Sequence, residues 1–249
     1  MSLKTIIDYS PNFYSTKRSF KQIKFVIFHY TGMKKESDSL KRLKNIQSEV
    51  SSHYFIKNNG KIVTLVPDLY IAWHAGISYW KNFKFLNTNS IGIEVNNPGH
   101  NLNYKKFSRK QINSILRLTK FLIKKYQIKP QNILGHSDIA PIRKKDPGEK
   151  FPWKYLSQHK IGFWHELDQK KLIKNRNLKT NNIEIRSFVK NLFKIGYLIK
   201  APKNYNLSNT QYIKILTKAF QRRFRQELVN GIIDQECLII SENLAKKLN

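Results

Sequence analysis

The run from Lys24 to Tyr30 is almost wholly apolar, β-branched or aromatic, and Thr31-Gly32 closes it. That pattern predicts a buried strand carrying His29 near its C-terminal end. The apolar period then changes. From Ser37 to Val50 it runs through Leu40, Leu43 and Ile46 with Gln47 beside them, which predicts a helix capped by Ser37 or Asp38. His53–Ile56 and Lys61–Val66 flank Asn58-Asn59-Gly60, the signature of two strands joined by an Asn-Gly turn. Ser90–Val95 predicts a further core strand. Ser108–Tyr126 predicts an amphipathic helix with Ile112, Ile115, Leu116, Thr119, Leu122 and Ile123 on one face. Asn132–His136 predicts a short strand that again ends in histidine, followed by a loop rich in Pro, Gly and charge to about Trp153.

Strands and helices interleave through this region, so the expected fold is α/β (α+β), a mixed central sheet flanked by helices. The character of the chain then shifts. Lys170–Asn182 is polar and basic, and beyond it the pattern is helical. Ile185, Phe188, Val189, Leu192 and Phe193 form one stripe ended by Gly196. Tyr212, Ile215, Leu216, Ala219, Phe220 and Phe224 form a second, and Leu238–Leu248 forms a third, short helix. The expected organisation is a sheet domain over residues 1–170, a linker over 171–182, and a small three-helix domain over 183–249.

Composition adds two constraints. The 249 residues carry 46 Lys+Arg against 16 Asp+Glu, a net charge of +30. Such a surface attracts polyanions. Lys, Asn and Ile are abundant throughout, however, as A·T-rich codon usage produces, and no nucleic-acid-binding motif accompanies the charge. No specific nucleic-acid partner is expected. A single cysteine, Cys237, excludes an intramolecular disulfide and a multi-thiolate metal site, so a metal would rest on His and carboxylate. No stretch is long and apolar enough to be a transmembrane segment. The N-terminus lacks the apolar run of an export signal, which points to the cytoplasm.

Three polar groups sit where predicted strands run out into loops: His29, His136 and Asp146. Two histidines and a carboxylate suffice for a catalytic zinc with water in the fourth position. Taken singly, each is equally a satisfied structural residue, and their spacing is not the compact pattern of a helical metalloprotease.

The surrounding words are more specific. Val26-Ile27-Phe28-His29-Tyr30-Thr31, Val50-Ser51-Ser52-His53-Tyr54-Phe55-Ile56, Ala72-Trp73-His74-Ala75-Gly76, Asn89-Ser90-Ile91-Gly92-Ile93-Glu94 and the stretch from Gly135 to Gly148 occur in one order. From about residue 20 to about 165 the chain resembles the type-2 N-acetylmuramoyl-L-alanine amidases, most of all those acting on 1,6-anhydromuropeptides. The resemblance implies the fold shared with peptidoglycan recognition proteins and T7-type lysozyme. It implies Zn2+ held by His29, His136 and Asp146, with Glu94 and Lys144 catalytic. The reaction it implies is hydrolysis of the amide between the muramoyl lactyl group and L-alanine, in peptidoglycan or its fragments.

The chemistry suits these residue types. A carboxylate such as Glu94 can shuttle a proton from water to the leaving nitrogen, and a cation such as Lys144 can stabilise an oxyanion. Trp73, His74 and Arg143 are expected to hold substrate, the aromatic face against a sugar and the guanidinium on a carboxylate. His53 reads as structural, and His100, His159 and His165 as surface residues. The segment from Ile183 to Leu244 resembles the three-helix peptidoglycan-binding module through Gly196-Tyr197-Leu198, Thr210, Ala219-Phe220-Gln221-Arg222 and Gly231-Ile232-Ile233-Asp234, and departs from it around Lys203-Asn204-Tyr205. A wall-binding module implies the periplasm or cell envelope, against the cytoplasm implied by the N-terminus. The alternative to an enzyme is a non-catalytic peptidoglycan-binding protein; relatives of that kind typically lack a ligand, whereas this chain has the full set.

Overall fold

Alternation along Phe25–Tyr30 sorts side chains onto two faces of a sheet, and the architecture follows from what covers each face. The computed structural model describes residues 3–198, 200 and 207–248. The segment Lys203-Asn204-Tyr205 lies outside the described residues. In chain order the elements are β1 (Ile6–Ile7), β2 (Phe13–Tyr14), β3 (Phe25–Tyr30), α1 (Glu36–Lys44), β4 (Tyr54–Ile56), β5 (Ile62–Thr64) and β6 (Ile71–Ala72). Then come β7 (Tyr79–Trp80), β8 (Phe83–Lys84), β9 (Ser90–Val95), α2 (Arg109–Tyr126), β10 (Ile133–Gly135) and α3 (His136–Ile139). The chain ends with α4 (Trp153–Gln158), α5 (Gln169–Lys174), α6 (Asn182–Ile195), α7 (Asn209–Phe224) and α8 (Gln235–Lys246).

The six-stranded sheet runs β1-β5-β4-β9-β3-β10. It is mixed: β4 and β5 pair antiparallel as the Asn-Gly turn predicts, while β4, β9, β3 and β10 run parallel. One face of the sheet carries Val26, Phe28, Ile91, Ile93 and Ile133 and is covered by Ile115, Leu118 and Leu122 of α2. The other carries Phe25, Ile27 and Leu134, which share a core with Phe188, Leu192, Leu216, Phe220 and Leu244 of the C-terminal helices. The helical segment is therefore the third layer of the fold. Residues 171–182 contain the end of α5 and a bridge between Lys179 and Asp234.

Local chemistry moved several boundaries. The first helix stops at Lys44, short of Val50, because the Asn45 side chain accepts from the Gln47 backbone N–H and starts a separate turn. Its N-cap is Lys35, two residues ahead of the expected Ser37 and three ahead of Asp38. Ser108 and Gln111 form a capping box that fixes the start of α2. The buried face of α2 is rotated from the expected stripe: Leu118 and Tyr126 are buried, while Ile112, Leu116 and Ile123 are only partly so. On α6 the stripe is Phe188, Asn191, Leu192 and Ile195, leaving Phe193 exposed one position off the buried row. His136 opens a helical turn instead of ending a strand.

Candidate active site

The parallel register builds the site. His29 of β3 pairs with Glu94 of β9, and β10 pairs Gly135 with Phe28, so His136 comes next to His29. Three reactive side chains thus lie in one row at the carboxyl ends of three adjacent strands, the end at which open α/β sheets place their ligands. Asp146 joins them from the following loop, where the Ser137 N–H donates to its backbone carbonyl.

The three ligand-type residues converge. His29 Nδ1 lies 2.9 Å from His136 Nδ1 and 3.1 Å from Asp146 Oδ2, and His136 Nδ1 lies 3.0 Å from that same oxygen. All three are buried. Their proton inventory leaves the centre of the triangle short of positive charge. The Ser90 hydroxyl donates to the Leu86 carbonyl at 2.6 Å, so it accepts from His74 Nε2–H at 3.1 Å. His74 Nδ1 then accepts from His29 Nε2–H at 3.0 Å. His136 Nε2–H donates to the Ala75 carbonyl at 3.1 Å. In the neutral rings both Nδ1 lone pairs point inward at a carboxylate oxygen, an arrangement of three acceptors that a cation satisfies. Bonds of about 2.0–2.2 Å to a tetrahedral ion put ligand atoms about 3.3 Å apart, close to the spacing found.

Electrostatics agree. Burial, and then the charge of His136, lower the His29 pKa to about 4, so it is neutral near pH 7. Burial alone would raise the Asp146 carboxyl, but the charge and hydrogen bonds of His136 and His29 hold it well below the usual range. Glu94 is pushed up to about 8, by burial and then by the Asp146 charge, with Lys144 and Arg42 opposing. Its Oε2 is buried and has no hydrogen-bond partner. Glu94, the three ligand-type residues, Trp73, Lys144, Lys145 and Arg42 line one cavity of about 460 Å³.

The expected substrate-holding residues divide. Trp73 lines the cavity, with its indole N–H buried and unpartnered. His74 lies behind His29 and also lines the cavity, and both its ring nitrogens are engaged within the protein, Nδ1 with the His29 ring and Nε2 with Ser90. Gly92 makes this possible, since a Cβ there would come within 2.4 Å of the His74 ring. Arg143 borders the cavity, but one of its terminal nitrogens donates to the carbonyls of Ala75 (3.0 Å) and Ile77 (2.6 Å), holding the loop against β10. His53 is structural: fully buried, its Nδ1 accepts from the Gly92 N–H and its Nε2–H donates to the Tyr70 carbonyl at 3.1 Å.

Sequence reasoning missed Arg42, and it placed His100 and His165 on the surface. His100 is half-buried between Tyr30 (2.9 Å) and Glu149 (3.0 Å), and His165 is buried. Ser90 was also missed, although small and polar residues at 90, 92 and 94 mark one face of β9 by their period of two.

Comparison with known proteins fits this geometry. The Amidase_2 profile, described as N-acetylmuramoyl-L-alanine amidase, matches residues 19–149. The N-acetylmuramoyl-L-alanine amidase AmiD of Escherichia coli is 36% identical over 241 residues, 92% of this chain and 84% of that protein. The 1,6-anhydro-N-acetylmuramyl-L-alanine amidase AmpD of Haemophilus influenzae is 40% identical over 116 residues, 46% of this chain and 61% of that one. The solved complex of E. coli AmiD with anhydro-N-acetylmuramic acid-L-Ala-D-gamma-Glu-L-Lys superposes with a TM-score of 0.78 at 35% identity, covering 94% of this chain and 93% of AmiD. AmpDh3 of Pseudomonas aeruginosa, in complex with anhydromuramic pentapeptide, also gives 0.78, at 30% identity over 96% of this chain and 97% of AmpDh3.

Proposed function

The chain belongs to the N-acetylmuramoyl-L-alanine amidase family, and we propose that it is a zinc enzyme cleaving the lactyl–L-alanine amide of 1,6-anhydromuropeptides. The observation that carries this reading is the convergence of three inward-facing ligand atoms beside an unpartnered, buried Glu94 in one cavity. His29, His136 and Asp146 would hold the ion. When bound, zinc supplies Lewis acidity, making water nucleophilic near neutral pH and drawing charge from the scissile carbonyl.

The remaining roles fall to side chains. In its ionised form, which the positive charge of a bound ion beside it would favour, Glu94 takes a proton from the attacking water and returns it to the L-alanine nitrogen as the C–N bond breaks, so the products are a lactyl carboxylate and a free amine. Its partnerless oxygen leaves it free for that transfer. Lys144, whose charge acts on both His29 and Glu94, stabilises the oxyanion that forms as water adds. Trp73 offers its ring to the sugar. Arg42 and Lys145 at the cavity wall suit a peptide bearing free carboxylates, as the ligand solved with AmiD does. Residues 1–170 act as the catalytic domain and residues 183–249 as a peptidoglycan-binding-like helical domain.

The test is mass spectrometry of a defined anhydromuropeptide after incubation, together with metal analysis. Release of intact peptide and anhydro-sugar, abolished by chelation and restored by Zn2+, is expected. Tight binding of the muropeptide without turnover in zinc-loaded protein would instead make this a recognition protein.

A further inference from the structure

The turn that carries His136 is held from the far side by the C-terminal helices. Asp138, buried two residues after His136, accepts the Gly135 N–H at 2.8 Å, which closes the turn on itself. Its other partners come from the helical segment. Arg223 of α7 donates from Nη1 to Asp138 Oδ2 at 2.6 Å, and the Tyr197 hydroxyl, just beyond α6, donates to Asp138 Oδ1 at 2.7 Å. The second Arg223 nitrogen donates to the Ile133 carbonyl in β10 at 2.8 Å, so one guanidinium spans the strand before the ligand and the turn after it. The same guanidinium lies over the Trp153 ring, 4.5 Å from its centroid, and that ring packs beside Gly135.

The loop carrying Asp146 is fastened from the same helix. Gln226, just past α7, donates to the carbonyls of Glu149 (2.6 Å) and Phe151 (2.7 Å). Both ligands donated by the stretch from His136 to Asp146 are therefore referenced to α7. Asp138, Arg223 and Tyr197 are all buried, so these bonds form away from competing water.

We propose that the helical segment is a positioning part of the metal centre, in which Arg223 and Tyr197 act through Asp138 to set His136, and Gln226 sets the Asp146 loop. This rests on the zinc reading above. A charged pair that fixes a ligand's backbone narrows the geometries available to the unloaded site, and loss of groups behind metal ligands typically costs about 10–100-fold in metal affinity. The pairing also gives a physical reason for the shared core between the sheet and the C-terminal helices: the segment registers the ligands as well as covering apolar surface.

The test is zinc affinity, measured by competition with a chromophoric chelator, on the full-length chain. Arg223→Met is expected to weaken zinc binding about 10–100-fold. Arg223→Lys should restore part of that, because a lysine reaches Asp138 but cannot also reach Ile133. Tyr197→Phe, which deletes a single hydrogen bond, should weaken binding less and keeps the question open to refutation if Arg223→Met fails to fold. Leu244→Ala, a cavity in the same helical core at a residue that makes none of these hydrogen bonds, is the control for plain destabilisation. Lowered zinc affinity in the Arg223 and Tyr197 variants with wild-type affinity in Leu244→Ala supports the proposal. Unchanged affinity in folded Arg223→Met or Tyr197→Phe overturns it, as does an equal loss in Leu244→Ala. Wild-type protein that binds no zinc would refute the zinc reading itself, a distinct outcome.

Discussion

The two faces of the central sheet use the same strands for opposite purposes. On the α2 face the strands present Val26, Phe28, Ile91, Ile93 and Ile133, and the helix answers with Ile115, Leu118 and Leu122. On the other face the rows start apolar, with Phe25, Ile27 and Leu134, and finish in His29, Glu94 and His136. A shift of one residue in register would exchange the faces and bury His29, Glu94 and His136 against α2. The comparison teaches that the apolar face holds the register and the mixed face puts it to chemical use.

The sharpest way to break this division is on the ligand row. His136→Ala should abolish both zinc retention and turnover, measured by elemental analysis and muropeptide release; full zinc occupancy in that variant would remove His136 from the metal site. Glu94→Gln should keep zinc but lose about 10²–10⁴ of the rate, because only proton transfer is deleted. Near-normal turnover there would end the role given to Glu94.

On the other face, Leu118→Ala should cost about 2–5 kcal/mol in denaturant unfolding while zinc affinity stays at the wild-type level. Weakened metal binding in that variant would show that the faces are not separable.

The acid response of metal-free protein tests the buried histidines outside the ligand row. Burial, and then the Arg18 charge, hold His53 at about 3, and burial holds His165 at about 4. The unfolded imidazoles titrate near 6.5, so below about that pH the unfolded chain takes up protons that the folded one refuses. Stability should fall by about 1.4 kcal/mol per pH unit for each such histidine and level off below their folded values. Denaturant midpoints that do not fall between pH 7 and pH 5 would contradict this.

Much of the site was legible because it lies on regular elements with strong local signals. His29 lies at a strand end as expected and His136 one residue past one, and the Asn-Gly hairpin follows from short-range rules. The division among Trp73, His74 and Arg143 was not legible, because it depends on which groups already have partners in the folded chain. The His74 ring is engaged by Ser90, 16 positions further along the chain. Arg143 is drawn to carbonyls more than sixty residues away. Asp138 gave no local sign of its role, since Arg223 lies 85 positions further along the chain. The expected α2 stripe missed Leu118 because several apolar residues flank the true face, and only packing against β9 and β3 chooses among them.

One consequence of the parallel register concerns the order of events as the chain matures. His29 and His136 are 107 positions apart, and they become neighbours only once β3 and β10 have paired. Closing so long a loop comes late and slowly in folding. On the zinc reading, a growing chain offers no assembled trio to an ion, and loading would wait until β3 and β10 have paired. An ion bound there would favour the finished architecture by mass action, acting as a latch on the β3–β10 pairing.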